Sequence, residues 1–466
     1  MFESIDIRKS EGGGDVNHNV VYLFTVVSAS YMLPWTAMGA LLHYFAGRYG
    51  DAFFVYLNVA FYGVGLPLSY TQKLLDNYWD LTLGSKFMFR RRLWVAMSIL
   101  FVVLLFGPYA GEVGTILVVI VVGVMTWSAH GCACTLASVV KLNSSTMQQI
   151  GFVLPGLYSV VAVTVLDMEG EVPEWRLRLF YWMTAAGVLP GILAWYLLCR
   201  SDLVRQALER KDEAMGGMLI EQHMAMSSGN NSAGTDFVTD GHDADADVDT
   251  AAVPLMLSHN KAGILAYSRG LLKDSPGLLS EALVDSGVVI EEALLLHRWA
   301  LFLTIFISIL QCSLLSYTCG AELWGEALPP LLYFVRIFAD LLGRPLALLP
   351  RPLPFSNIEW VCYASAIRVV ASFYFFWTIA HITPDPTRLV WTTKDSLLLV
   401  GFQLVFSLFS GYLNCLTYEY SANVFQEDWQ RLVAAQYLNL TFQKACSLGV
   451  AVAISVVLVI NYANPV

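Results

Sequence analysis

Residues 93–140 read LWVAMSILFVVLLFGPYAGEVGTILVVIVVGVMTWSAHGCACTLASVV, two long apolar runs parted by a short link, and Glu112 in that link is the sole Asp, Glu, Lys or Arg of the stretch. About 20 consecutive apolar residues suffice to cross a bilayer as a helix. Backbone N–H and C=O groups find no water in hydrocarbon, so each crossing segment must pair them internally, as a helix does. Working outward, comparable runs lie near 20–45, 53–72, 146–167 and 177–199, then near 299–320, 328–350, 358–382, 394–418 and 432–460. Together they predict an all-α polytopic membrane protein with about eleven spans in a 6+5 arrangement. Composition agrees: 56% of the 466 residues are hydrophobic and 14% charged, with a mean hydropathy of +0.58. So much apolar surface needs lipid as its solvent.

The chain divides into an N-terminal segment (1–19), a six-helix half (20–199), a connecting loop (200–298) and a five-helix half (299–466). Residues 1–19 are polar and Gly-rich without an apolar stretch behind a basic start, so the first span is expected to serve as its own insertion signal. Lys and Arg mark the cytoplasmic side. Lys73, Lys86, Arg90, Arg91 and Arg92 follow span two, and Arg200, Arg205, Arg210, Lys211, Lys261, Arg269, Lys273 and Arg298 follow span six; the link after span five holds Arg176 and Arg178. These positions predict a cytoplasmic N-terminus, an extracellular or lumenal C-terminus and a cytoplasmic 200–298 loop, with the plasma membrane the favoured location. The loop's centre, Gly229 to Thr250, has almost no apolar content and is expected to be disordered. Its acids, Asp236, Asp240, Asp243, Asp245, Asp247 and Asp249 around His242, carry much of the net charge of −10. Their spacing matches no EF-hand, and a solvated acidic linker is the reading adopted. No basic footprint for nucleic acid is present. The eight cysteines, several inside apolar runs, read as small packing residues and not as a disulfide framework. The sequons at Asn143 and Asn230 fall on predicted cytoplasmic segments and that at Asn439 within a span, so none is expected to be glycosylated.

Ionisable residues inside spans are expensive and mark pathways or buried pairs. They are densest in span eight, where Arg336, Asp340 and Arg344 recur every four residues and so share one helix face. One carboxylate between two guanidiniums leaves donors free to grip a polar solute; the competing reading is a structural ion pair that locks helices together. His43, Glu112, His130, Arg368, Glu419 and Lys444 also lie in or at the edge of spans. Singly, each is more readily explained by packing or snorkelling. Arg368 and Lys444 sit mid-span, and with Arg336 and His130 they are the candidate cavity or gating charges. His130-Gly131-Cys132-Ala133-Cys134 has metal-ligand residue types but no second cluster to complete a tetrahedral site. No nucleophile elbow, Walker loop or His-Glu-x-x-His occurs, so the chain is expected not to be an enzyme, and neither a metal nor a cofactor is implied. A membrane-embedded lipid enzyme is the least favoured alternative, and a receptor is disfavoured by the number of spans.

Four motifs carry a resemblance: Met32-Leu33-Pro34-Trp35 in span one, Leu66-Pro67-Leu68-Ser69 in span two, Asp340-Leu341-Leu342-Gly343-Arg344 in span eight and Gly411-Tyr412-Leu413 in span ten. With six and five spans about a long loop, the chain resembles the equilibrative nucleoside transporters over nearly its whole length, as a divergent member. The resemblance implies a major-facilitator-like fold lacking a helix, with a central cavity opened to each side in turn. It also implies that Asp340 and Arg344 bind ribose hydroxyls, with Met32, Trp35, Gly65 and Leu68 as lining positions. The chain departs from the family in several places. Ile337 stands where a polar residue is usual, Trp127 where a glutamine meets the base, and Met147-Gln148-Gln149-Ile150-Gly151 where a Gly-rich stretch is usual. Arg368 matches an arginine of span nine, without the Phe and Pro that usually follow it. These departures bear on base specificity more than on fold. Trp35 and Trp127 offer flat faces for a base. The alternative passenger is another small polar solute or an organic cation such as choline, held by Asp340 and an aromatic cage; Arg336, Arg344, Arg368 and Lys444 count against a cation. Asp340, His130 and Glu419 could relay protons, so the sequence leaves facilitated and proton-coupled transport both open.

Overall fold

A computed structural model of the protein describes residues 19–50, 53–140, 143–168, 172–232, 261–274, 287–315, 327–349, 355, 357–380 and 393–463. The apolar runs of the first half form α1 (Asn19–Ala40), α2 (Leu42–Tyr49), α3 (Phe53–Gly63), α4 (Gly65–Leu83), α5 (Ser85–Phe106), α6 (Glu112–Val140), α7 (Ser144–Val165) and α8 (Glu174–Arg200). Next come α9 (Asp202–Ser232) and α10 (Lys261–Asp274). The second half is built from α11 (Leu295–Ser313), α12 (Leu328–Leu346), α13 (Ile358–Ala380), α14 (Thr393–Val424) and α15 (Asp428–Ala463). The described residues contain no strand.

Among the described residues ten helices are long and apolar enough to cross a membrane, α3 and α4 counting as one 31-residue segment. About eleven were expected. The difference is α12, whose 19 residues carry Arg336, Asp340 and Arg344 and are too charged to qualify by composition. Its charges lie on one face; Phe338, Leu342 and Leu346 on the other are exposed, as suits a helix with its polar side turned to protein and its apolar side to lipid. The break between α3 and α4 also has a local cause. Pro67 has no N–H and its ring crowds the carbonyl four residues back, at Gly63, where α3 ends.

The connection 200–298 is more structured than a loop. α9 and α10 pack on each other and on α4, and α9 also touches α5, α6, α8 and α15. The polar composition that suggested a loop conceals an apolar stripe at Val204, Ala207, Leu208, Met215 and Leu219, all buried. That is helical spacing. Residues 229–232 of the segment expected to be disordered complete α9. The rest of it, with the acidic run Asp236 to Asp249, lies outside the described residues.

In the first half α1 lies along α7 and α8, and α5 packs between α6 and α8. In the second, α11 contacts α13, α14 and α15, and α12 lies along α14. The halves meet where α12 reaches α7 and where α15 reaches α3, α4 and α6. Polar bonds cross this seam near the end where α4 stops and α7 starts: Asn77 and Gln436 exchange amide hydrogen bonds of 3.2 and 3.1 Å, and the Lys73 ammonium sits 3.7 Å from the Tyr437 ring centroid. Elsewhere along the seam an apolar cluster joins the halves, with Val55 of α3 packed among Ile307, Leu310, Phe406, Ala453 and Val457.

Candidate substrate site

Between the halves lies a cavity of about 100 Å³. The first half contributes Met32, Trp35 and Thr36 of α1, Tyr62 of α3 and Phe152 of α7. The second contributes Ser308 of α11, Tyr333, Arg336, Asp340 and Arg344 of α12, Ser410 of α14 and Phe442 of α15. Every charged group of the wall therefore comes from the second half, while both halves supply aromatic rings.

The charged wall is fixed by how α12 meets α14. At Gly343 a Cβ would stand 2.0 Å from the Leu408 carbonyl oxygen, and at Gly411 one would stand 2.2 Å from the Asp340 carbonyl oxygen. Only hydrogen fits at either point, so the two backbones touch and hold Asp340 and Arg344 in register. Arg344 Nη2 donates to Asp340 Oδ2 at 3.0 Å. Asp340 Oδ1 accepts no hydrogen bond among the described residues, leaving an acceptor vacant on a residue of the cavity wall. Arg336 donates to the Cys312 thiol at 2.9 Å, a weak acceptor for a guanidinium, so most of its donor capacity is unspent.

Arg344 also joins the halves. Its Nη1 donates to the Gln149 carbonyl at 2.6 Å and to Gln149 Oε1 at 3.0 Å, and Asn414 lies 3.4 Å from the same Oε1. From there a buried polar chain runs into the first half. Gln149 Nε2 donates to Gln148 Oε1 at 2.9 Å, Gln148 Nε2 donates to the Tyr31 hydroxyl at 2.8 Å, and that hydroxyl is 3.0 Å from His130 Nδ1. His130 Nε2 and the Cys134 sulfur are 3.4 Å apart.

Of the residues singled out from the sequence, Met32, Trp35, Arg336, Asp340 and Arg344 line the cavity together. The others stand elsewhere. Trp127 is one layer behind, its indole donating to the Phe61 carbonyl at 2.9 Å and its ring among Tyr62, Phe152 and Phe442. Gly65 faces Gln443 and Trp127, and Leu68 packs against the large apolar cluster shared by both halves. Arg368 backs the wall: it donates to Ser308 Oγ at 3.1 Å and lies 4.2 Å over the Phe406 ring. Lys444 points to the Tyr70 ring at 5.7 Å, and His130 belongs to the polar chain. The aromatic wall is Trp35, stacked 4.0 Å from Phe61 and within 3° of parallel, with Tyr62 edge-on at 5.6 Å.

Sequence reading missed Tyr62, Tyr333, Phe152 and Phe442, which are ordinary residues for a span and carry no local signal. It also missed Gln149, for which a signal existed: adjacent glutamines in an apolar helix need buried partners.

No family profile and no curated protein matches the sequence. Solved structures are similar in fold. The chain is similar to the xylose transporter XylE from E. coli in a partially occluded inward-open conformation, at 13% identity and TM-score 0.45 over 96% of this chain and 99% of that one. It is also similar to the human organic anion transporter MFSD10, at 12% identity and TM-score 0.48 over 94% and 92%. A third is a bacterial homologue of the human drug peptide transporters, at 14% identity and TM-score 0.44 over 96% and 100%.

Proposed function

We propose that the protein is a membrane transporter of major-facilitator-like arrangement that moves nucleosides or nucleobases by alternating access. The observation that carries this reading is the pair Asp340 and Arg344 on the cavity wall, one carboxylate oxygen lacking a partner among the described residues and the guanidinium reaching across to the opposite half. A vacant acceptor beside bound and free donors suits vicinal hydroxyls, which both donate and accept. Trp35 and Tyr62 opposite supply aromatic surface for a planar base. A site between two rocking halves is the geometry alternating access needs. The balance of charge speaks against an organic cation, because Arg336 and Arg344 line the cavity with Asp340 and Arg368 stands just behind. The polar end of the seam, where Lys73 meets Tyr437, is assigned to the cytoplasm by the positive-inside rule, since Lys86 at the start of α5 and Arg200 at the end of α8 mark the same end of the first half.

The test is uptake of labelled adenosine, uridine, hypoxanthine and choline into transporter-deficient cells, each in competition with the others. Saturable uptake of a nucleoside or nucleobase, blocked by its congeners and not by choline, is expected. Uptake of choline alone overturns the assignment. Repeating the assay with an inward proton gradient distinguishes facilitated from proton-coupled transport.

A further inference from the structure

A second cavity lies on the outside of the first half, away from the seam, with a volume of about 520 Å³. It is walled by Lys86 and Arg90 of α5, Tyr196 and Arg200 of α8 and Arg205 of α9. We propose that this groove binds the phosphate headgroup of an anionic membrane lipid.

Among the described residues the gathered charge is compensated only at Arg205. Arg205 is partly offset by Asp202 at 2.8 Å and Glu209 at 3.9 Å, but Lys86, Arg90 and Arg200 have no carboxylate partner among the described residues. Tyr196 holds two of the cations close despite their repulsion, with Arg200 Cζ 4.3 Å and Arg90 Cζ 5.9 Å from its ring centroid. Gathered guanidiniums of this kind match a phosphate, which each can grip through paired N–H groups.

Position separates a lipid from a free anion. The apolar segments begin at Ser85 on α5 and end at Arg200 on α8, so the groove opens at the level where hydrocarbon gives way to headgroups. Phe87 beside it is 53% exposed and Leu197, one turn from Leu193 on α8, is 46% exposed. A headgroup in the groove would lay its acyl chains along that apolar surface. Basic pockets at this depth on the positively charged side of a membrane protein are suited to anionic lipid. Because Arg205 stands on α9 while the other cations stand on α5 and α8, the bound phosphate would also tie the connecting helix to the first half.

The proposal is tested on the full chain in detergent by native mass spectrometry, titrated with phosphatidylglycerol, phosphatidylcholine and inorganic phosphate. Phosphatidylglycerol is expected to bind more tightly than both phosphatidylcholine, whose headgroup is zwitterionic, and inorganic phosphate. Arg90→Gln and Arg200→Gln should each weaken phosphatidylglycerol about fivefold, the equivalent of about 1 kcal/mol per charge near a membrane surface. Arg91→Gln makes the same charge change at an exposed neighbour outside the groove and should leave affinity unchanged. Equal binding of the two lipids overturns the proposal, as does an Arg91→Gln effect as large as that of Arg90→Gln. Inorganic phosphate binding as tightly as the lipid overturns the lipid source. The variants sit on different helices, and each is first compared with the parent by Tm in phosphatidylcholine, so loss of folding in one leaves the other, or Lys86→Gln, to decide.

Discussion

Replacing Gln149 by leucine should loosen the polar end of the seam by a calculable amount. The substitution removes the Oε1 that accepts from Arg344 at 3.0 Å and lies 3.4 Å from Asn414, while sparing the backbone carbonyl at 2.6 Å. A hydrogen bond from a charged donor contributes about 2 kcal/mol. Because this bond joins the two halves, its loss falls on the conformer in which they are closed at that end and not on one in which they are parted. The open population should then rise by roughly 30-fold, at about 1.4 kcal/mol per tenfold. Cys134 reports it. The residue is 5% exposed and lines a small cleft between the halves with Gln148, Tyr418 and Arg431. In a chain keeping Cys134 as its single cysteine, a water-soluble maleimide should label Gln149→Leu far faster than the parent in inside-out vesicles. Gln149→Glu, which gives Arg344 a carboxylate, should label more slowly. An unchanged rate in both would refute the view that Arg344 and Gln149 hold the halves together.

Asp340→Ala should abolish transport while the protein still reaches the membrane; full uptake by this variant sinks the site assignment. Gly411→Ala places a methyl against the Asp340 carbonyl at 2.2 Å, an overpacking that costs about 2 kcal/mol, and should lower Tm in a thermal melt of the purified chain; an unchanged Tm would mean that α12 and α14 can part without loss. Asp212 of α9 accepts hydrogen bonds from the Ser85 hydroxyl and backbone N–H, yet burial raises its carboxyl above the ordinary carboxylate value. A carboxyl raised in the folded state opposes folding as pH climbs from its unfolded value toward its folded one, and the penalty persists above both. Asp212→Asn should therefore gain stability relative to the parent at neutral pH and lose that advantage below about pH 4, read from Tm against pH; a gap that does not vary with pH would contradict this.

The spans were legible because hydrocarbon leaves a backbone no alternative to a helix, and that constraint acts through local composition alone. The charged face of α12 was legible for the same reason, since spacing of four residues fixes a face before any neighbour is known. What faces it is a matter of tertiary contact. Trp35 and Trp127 look alike as residues in a span, but one lines the cavity and the other stands behind Tyr62 because of where α3 and α6 cross. Gly65 and Leu68 share a motif with no cavity residue, and the break at Gly63 turns them toward Trp127 and the core. The segment of α9 lacks a run apolar enough to span and so reads as loop between spans, although Val204, Ala207, Leu208, Met215 and Leu219 spell an apolar stripe. Lys211 in that stripe is fully buried on Asp80 and Ser85, which a reading by composition takes for solvent exposure.

The charge that keeps α12 from qualifying as an apolar span also bears on how the chain is made. Each of Arg336, Asp340 and Arg344 opposes entry of a lone helix into the bilayer by roughly 3 kcal/mol near its centre. The Leu and Phe residues of the exposed face offset only part of that. α12 is thus a poor substrate for insertion one helix at a time. It should linger at the translocation channel until α14 arrives to cover its polar face through the close approach at Gly343 and Gly411, so a side chain at either glycine should slow assembly of the second half.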